Sequence, residues 1–103
     1  MRRDLATLPL NHRLLNWGNA ARGPYDPVDS ARITKGWQSL QPRHRDILRM
    51  VYVWHAGHEV VCRRLRIPRR PFQRFESELA AAHAALVRAL EEDNLHQDDE
   101  RVR

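Results

Sequence analysis

Between residues 10 and 90 the apolar side chains recur at helical spacing, and nowhere do apolar and polar positions alternate as they do in a strand. The pattern predicts five helices. Leu10, Leu14, Trp17 and Ala21 mark a first helix over residues 10–22, with Asn11 placed to cap its start and Gly23 its end. Gly23-Pro24-Tyr25-Asp26-Pro27 is a stiff connector. Asp29 or Ser30 then caps a second helix to about Leu40, whose stripe is Ile33, Trp37 and Leu40.

Pro42 suits the first turn of a third helix, which runs to about His55. Ile47, Leu48, Val51, Tyr52 and Trp54 are its apolar residues, and Arg43, Arg45 and Arg49 lie on its polar side. Ala56-Gly57 breaks the pattern. A short fourth helix follows to about Leu65, with Val61, Cys62 and Leu65 inward, and Arg66-Ile67-Pro68 turns the chain. The fifth helix has Pro71 in its first turn and runs to Leu90. Its stripe is Phe72, Phe75, Leu79, Ala82, Leu86 and Leu90. The expected fold is therefore all-α, without a β-sheet. Residues 1–9 form a loose arm, and 10–90 a single domain with an N-terminal pair of helices (10–41) and a C-terminal trio (42–90). Residues 91–103 form an acidic, disordered tail.

Charge sharpens this outline. The 103-residue chain carries 18 basic and 13 acidic side chains, for a net +5. Six of the acids fall between Glu91 and Glu100, so residues 1–90 alone hold 16 basic and seven acidic groups. A basic body calls for a polyanionic partner. Arg63, Arg64, Arg66, Arg69, Arg70 and Arg74 crowd the turn between the fourth and fifth helices. Two helices so spaced read as a helix-turn-helix, which carries charge where a DNA backbone lies. The first turns of the fifth helix would present Arg69, Arg70, Gln73, Arg74 and Ser77 to a major groove, because Arg pairs with guanine and Gln with adenine there. Arg63, Arg64 and Arg66 would meet phosphates.

Competing chemistry is sparse. His55, His58 and Cys62 offer three metal-type ligands without a fourth, so Cys62 reads as a packing thiol and no metal is assigned. No glycine-rich phosphate loop, carboxylate pair or activated nucleophile stands out, so no catalytic residue, cofactor or small-molecule substrate is assigned. One cysteine precludes an internal disulfide and suits a reducing compartment. No apolar run reaches the length of a membrane span, and the expected location is the cytoplasm. Trp17, Trp37 and Trp54 all sit on apolar stripes and read as core. Gly18, inside a helical pattern, costs about 1 kcal/mol relative to Ala and therefore marks a close approach, by another helix or by a partner.

Residues 40–90, from Leu40-Gln41-Pro42-Arg43-His44-Arg45 to Leu86-Val87-Arg88-Ala89-Leu90, resemble the fourth region of bacterial sigma factors. Arg13-Leu14-Leu15-Asn16-Trp17-Gly18 followed by Ala21-Arg22 resembles the opening of phage Q-type antitermination proteins of the phage 21 class. The resemblance implies a protein that binds double-stranded DNA near a late promoter, loads onto bacterial RNA polymerase and blocks terminator hairpins at the RNA exit channel. It implies that Arg69, Arg70, Gln73 and Arg74 read DNA and that Trp17 and Gly18 belong to a framework open to polymerase contact. This chain departs from the pattern in three ways. Arg66 stands where such turns carry Gly, Pro68 and Pro71 stiffen the approach to the recognition helix, and the cysteines that suggest zinc in some relatives are absent. A DNA-binding regulator without polymerase contact, and a protein-interaction module, are the alternatives.

Overall fold

The computed structural model describes residues 9–19 and 25–101, with side chains described as far as Asp93. The loose arm expected at residues 1–9 and the helix end expected at Gly23 lie, apart from Pro9, outside the described residues. The described residues form five helices and no strand: α1 (Leu10–Trp17), α2 (Pro27–Gln38), α3 (Pro42–Leu48), α4 (His58–Leu65) and α5 (Gln73–Arg101). The fold is all-α.

Helix starts follow local chemistry, with shifts from the sequence expectation. Asp26, not Asp29 or Ser30, caps α2; its carboxylate accepts from the N–H groups of Val28 and Asp29 at 2.9 and 3.3 Å. This register leaves Asp29 and Ser30 buried inside the helix. Asn11 likewise lies within α1, which begins after Pro9 with no side-chain cap. Pro27 and Pro42 each occupy a first turn, where a missing N–H costs nothing.

The third helix changes pitch. After Leu48 the backbone widens into a π-helical turn over Arg49–Val53. The Trp54 N–H donates to the Arg49 carbonyl at 3.0 Å, five residues back. A wide turn inserts one extra residue and rotates the following side chains out of phase. That is why Trp54, expected inward, is 51% exposed, while Met50 enters the core. The chain then leaves through His55 in the left-handed region at φ 53°.

The core runs through all five helices. Leu14, Ile33, Ile47, Leu48, Val61 and Leu86 are its largest fully enclosed aliphatic side chains, and Cys62 lies among them. Helix α5 packs along α3 and α2, while α1 packs on α2 and on the π-helical turn. It does not stop at Leu90. No glycine or proline interrupts the chain after Pro71, and Lys35 of α2 bonds Asp93 at 2.7 Å, so the helix continues through the expected tail to Arg101.

All three residues of the Asn16-Trp17-Gly18 box have internal tasks. Asn16 donates to the Asp26 carbonyl at 2.9 Å and accepts from the Asp26 N–H at 2.7 Å, fixing the far end of the connector. Trp17 donates to Thr34 Oγ1 at 3.0 Å and lies 5.7 Å from the Trp37 ring. Gly18 has an ordinary right-handed backbone, so its need is space rather than conformational freedom. A Cβ there would stand 1.8 Å from the Tyr52 carbonyl oxygen. The close approach expected from the sequence is thus made by the chain's own π-helical turn.

Gly18→Ala should destabilise the fold by about 3 kcal/mol, because the obstructing atom is backbone and cannot rotate away. A urea titration followed by circular dichroism would measure this; an unchanged midpoint would mean that α1 does not press on the π-helical turn. A second expectation concerns His83, whose Nε2 lies 2.8 Å from the Tyr52 hydroxyl. Burial lowers the His83 pKa from its ordinary 6.5, so the folded state binds fewer protons there than the unfolded chain. The resulting stability is present above that ordinary value and is lost as pH falls through the lowered one. Urea midpoints should fall between about pH 7.5 and about pH 5, and His83→Gln should flatten the fall.

Candidate nucleic-acid interface

Helices α4 and α5 are joined by a seven-residue turn, Arg66–Phe72. The sequence expectation placed Arg69 and Arg70 on the first turns of α5. Here they sit in the turn, because α5 begins at Gln73, two residues beyond Pro71. Phe72 therefore precedes the helix and falls off its apolar stripe. Expected in the core, it is 52% exposed and lies against His58, with ring centroids 4.7 Å apart. Phe75 alone is buried, and His58 meets it edge-on at 4.9 Å.

The start of the turn is a helix end built without glycine. Arg66 adopts φ 57° and ψ 44°, the left-handed conformation that disfavours any side chain. The Ile67 N–H then donates back to the Cys62 carbonyl at 2.9 Å, and Ile67 is buried. This is the Schellman arrangement, in which Gly is the usual residue at the left-handed position. Burial of Ile67 and its backbone bond offset the strain at Arg66.

One guanidinium holds the assembly together from below. Arg43 of α3 donates through Nε and Nη2 to the two carboxylate oxygens of Glu78 on α5, at 3.1 and 3.0 Å. Its Nη1 donates to the Leu65 carbonyl at 2.8 Å, at the C-terminus of α4. The hydrogen bond to Glu78 raises the Arg43 pKa, and the same bond holds the Glu78 carboxyl below its ordinary range.

All eight side chains nominated from the sequence are exposed: Arg63, Arg64, Arg66, Arg69, Arg70, Gln73, Arg74 and Ser77. The structure sorts them. Arg63, Arg66 and Arg69 border one recess, together with Glu59, Cys62 and Ile67. Arg69 and Arg70 border a neighbouring recess with His58 and Glu59. Arg64 belongs elsewhere; its guanidinium lies 6.0 Å from the exposed Trp54 ring. Gln73, Arg74 and Ser77 stand on the first two turns of α5. Trp17 and Gly18, the candidate framework residues, are both partly covered and have the internal tasks described above.

Of the three metal-type side chains, His58 and Cys62 meet, with Nε2 3.4 Å from Sγ. Among the described residues no group of three or more His, Cys, Asp or Glu side chains assembles that could hold a metal ion. Cys62 is enclosed, and burial pushes its thiol pKa up, an effect partly opposed by the charge of Arg69. No helix among the described residues is long and apolar enough to cross a membrane.

Sequence reasoning overlooked Glu59 and the bracing by Arg43. Glu59 is the sole acid between Asp46 and Glu76, and that isolation inside an arginine-rich stretch was its available signal. The bond between Arg43 and Glu78 spans 35 residues and leaves no periodic trace. Comparison with protein-family models, with curated proteins and with solved structures found no match.

Arg66→Gly should raise stability by about 0.5–1 kcal/mol, since Gly adopts the left-handed conformation without steric cost. Thermal melts would detect the gain. A loss of stability would mean that the Arg66 side chain contributes more through its surroundings than its backbone costs.

Proposed function

We propose that this chain is a phage or prophage transcription regulator that binds double-stranded DNA through α4, the Arg66–Phe72 turn and the first turns of α5, and acts on bacterial RNA polymerase as an antiterminator. The observation that carries the DNA part is the exposure of all six guanidiniums between Arg63 and Arg74, around a turn braced by Arg43. Cations of that density on a fixed backbone suit a phosphate lattice. In this reading α4 and the turn meet the backbone, and Gln73, Arg74 and Ser77 reach base edges as a sigma-like helix-turn-helix does. Arg69 and Arg70, lying in the turn, serve register more than readout.

The polymerase part rests on the resemblance of Arg13-Leu14-Leu15-Asn16-Trp17-Gly18 and Ala21-Arg22 to the opening of Q-type antiterminators and of residues 40–90 to the fourth sigma region. Trp17 and Gly18 support it as framework. The bond from Trp17 to Thr34 ties α1 to α2, and the close approach at Gly18 seats α1 on the π-helical turn, in a fixed relation to the basic face. The mechanism is steric and electrostatic: DNA recruits the protein, and protein–protein contacts then retain it on polymerase.

The test is purified transcription from the native downstream promoter through a terminator, with and without the protein. Readthrough that requires promoter-proximal DNA is the expected result, and Arg69→Ala combined with Arg74→Ala should abolish it. DNA affinity should drop on the order of 10³-fold between about 50 and 200 mM salt if six phosphates are contacted. A shifted DNA fragment without readthrough would reduce the assignment to a DNA-binding regulator. Neither effect would leave a protein-interaction module.

A further inference from the structure

The arginines of the turn are not equivalent, and the recess that three of them share has a composition of its own. It is bordered by Glu59, Cys62, Arg63, Arg66, Ile67 and Arg69 and has a volume of about 440 Å³. Pockets of this size that take apolar small molecules are lined mainly by aliphatic and aromatic groups. Here three arginines and one glutamate border the recess, Arg69 pairs with Glu59, and no aromatic residue takes part.

We propose that this recess is a seat for a single phosphate group, and that Glu59 is its built-in competitor. The seat takes its phosphate from a nucleic-acid backbone if the DNA-binding reading holds, and from free phosphate if it does not.

Three arguments point to phosphate. First, a guanidinium fork binds oxyanions through paired hydrogen bonds. A carboxylate's two oxygens lie in one plane and suit one fork, whereas the tetrahedral oxygens of a phosphate group point in different directions and can be shared among several guanidiniums. Second, two of the carbonyls at the end of α4 near the recess are already engaged. A helix C-terminus normally presents free carbonyls that repel anions. At the end of α4 the Cys62 carbonyl accepts from Ile67, and the Leu65 carbonyl accepts from Arg43. Third, the three cations come from differently shaped pieces of backbone. Arg63 is on the last turn of α4, Arg66 is at the left-handed residue, and Arg69 is in the turn beyond Pro68. The chain turns at Arg66, and Arg69, beyond Pro68, still borders the same recess as Arg63 and Arg66.

Glu59 supplies the regulation. Its Oε1 lies 3.5 Å from Arg69 Nη1, and both side chains are largely exposed. A pair this long and this solvated is weak. It occupies Arg69 and yields to a phosphate whose tetrahedral oxygens Arg63 and Arg66 can share.

The experiment follows arginine Nε–H resonances of the full chain by NMR, at low salt, in titrations with inorganic phosphate and separately with a short DNA duplex. Inorganic phosphate should shift Arg63, Arg66 and Arg69 together and leave Arg88, an exposed arginine in the middle of α5, unmoved. Glu59→Gln should tighten phosphate binding about two- to five-fold, the range open to a weak surface pair. Glu76→Gln, which removes the same charge from the first turn of α5, should change it less. Arg66→Ala should weaken binding about ten-fold, as loss of a charged hydrogen-bond donor does. Uniform shifts across all arginines, or equal effects of the two glutamate variants, would overturn the seat. The duplex arm separates this inference from the broader one. Phosphate binding that DNA does not displace leaves the seat standing and removes the DNA reading. DNA binding that leaves Arg63, Arg66 and Arg69 unshifted does the reverse.

Discussion

The guanidinium of Arg43 links its own helix to two others, and the geometry of the basic face depends on that link. Two of its nitrogens bond the Glu78 carboxylate on α5, and the third bonds the last-turn carbonyl of α4 at Leu65. Both ionic partners are partly solvated, so the charge pair itself adds only modest stability. Its importance is positional. A planar fork has fixed bond directions, so anchoring it on α3 sets where α4 ends relative to where α5 begins. The turn between them contains two prolines and a strained Arg66, and it has few bonds of its own. Without the brace, the spacing of Arg63, Arg66, Arg69 and Arg74 would be left to a turn exposed to water along most of its length.

The N-terminal helices form the counterpart of this brace. Arg13 and Asp29 pair between α1 and α2 with bonds of 2.9–3.2 Å, and both are mostly enclosed. Trp37 donates to the Arg45 carbonyl at 2.9 Å and lies under the Arg49 guanidinium, 4.6 Å from its centre. Arginines that the sequence suggests are merely polar-side groups of α3 are thus fastened to α2. Gly18 then lets α1 rest on the π-helical turn at a distance no other residue permits. The two halves of the chain are joined at carbonyls and rings as well as by aliphatic packing.

How much of this was legible in the sequence depended on whether the cause was local. The order of five helices and the inward set Val61, Cys62 and Leu65 follow from short-range spacing, and the structure has them. The exposure of Trp54 was not legible, because a π-helical turn changes the phase of the pattern that assigns a face to it. Phe72 was misplaced for a related reason: Pro71 was read as the first turn of α5, yet the helix begins after it. Asp26 and Asp29 exchanged roles because Asp29 has a partner, Arg13, sixteen residues away. The eight residues nominated for DNA were all found at the surface, but their division into a shared recess, a neighbouring recess and the Trp54 flank depends on the turn's path. Composition does not encode that path.

The unbroken course of α5 also decides something about how the molecule meets a charged surface. Its 29 residues span roughly 43 Å at 1.5 Å per residue. The arginine-rich turn lies at one end, and Glu91, Glu92, Asp93, Asp98, Asp99 and Glu100 fall in its last eleven residues. The acidic stretch is therefore carried on a rod that points away from the basic face and cannot fold back to cover it. Separated charges of opposite sign on a stiff support make a large electric dipole. Within about a Debye length of a polyanion, roughly 8–10 Å in physiological salt, the field pulls one end in and pushes the other out. The protein would be turned before it touches, and fewer of its encounters would begin with the wrong face.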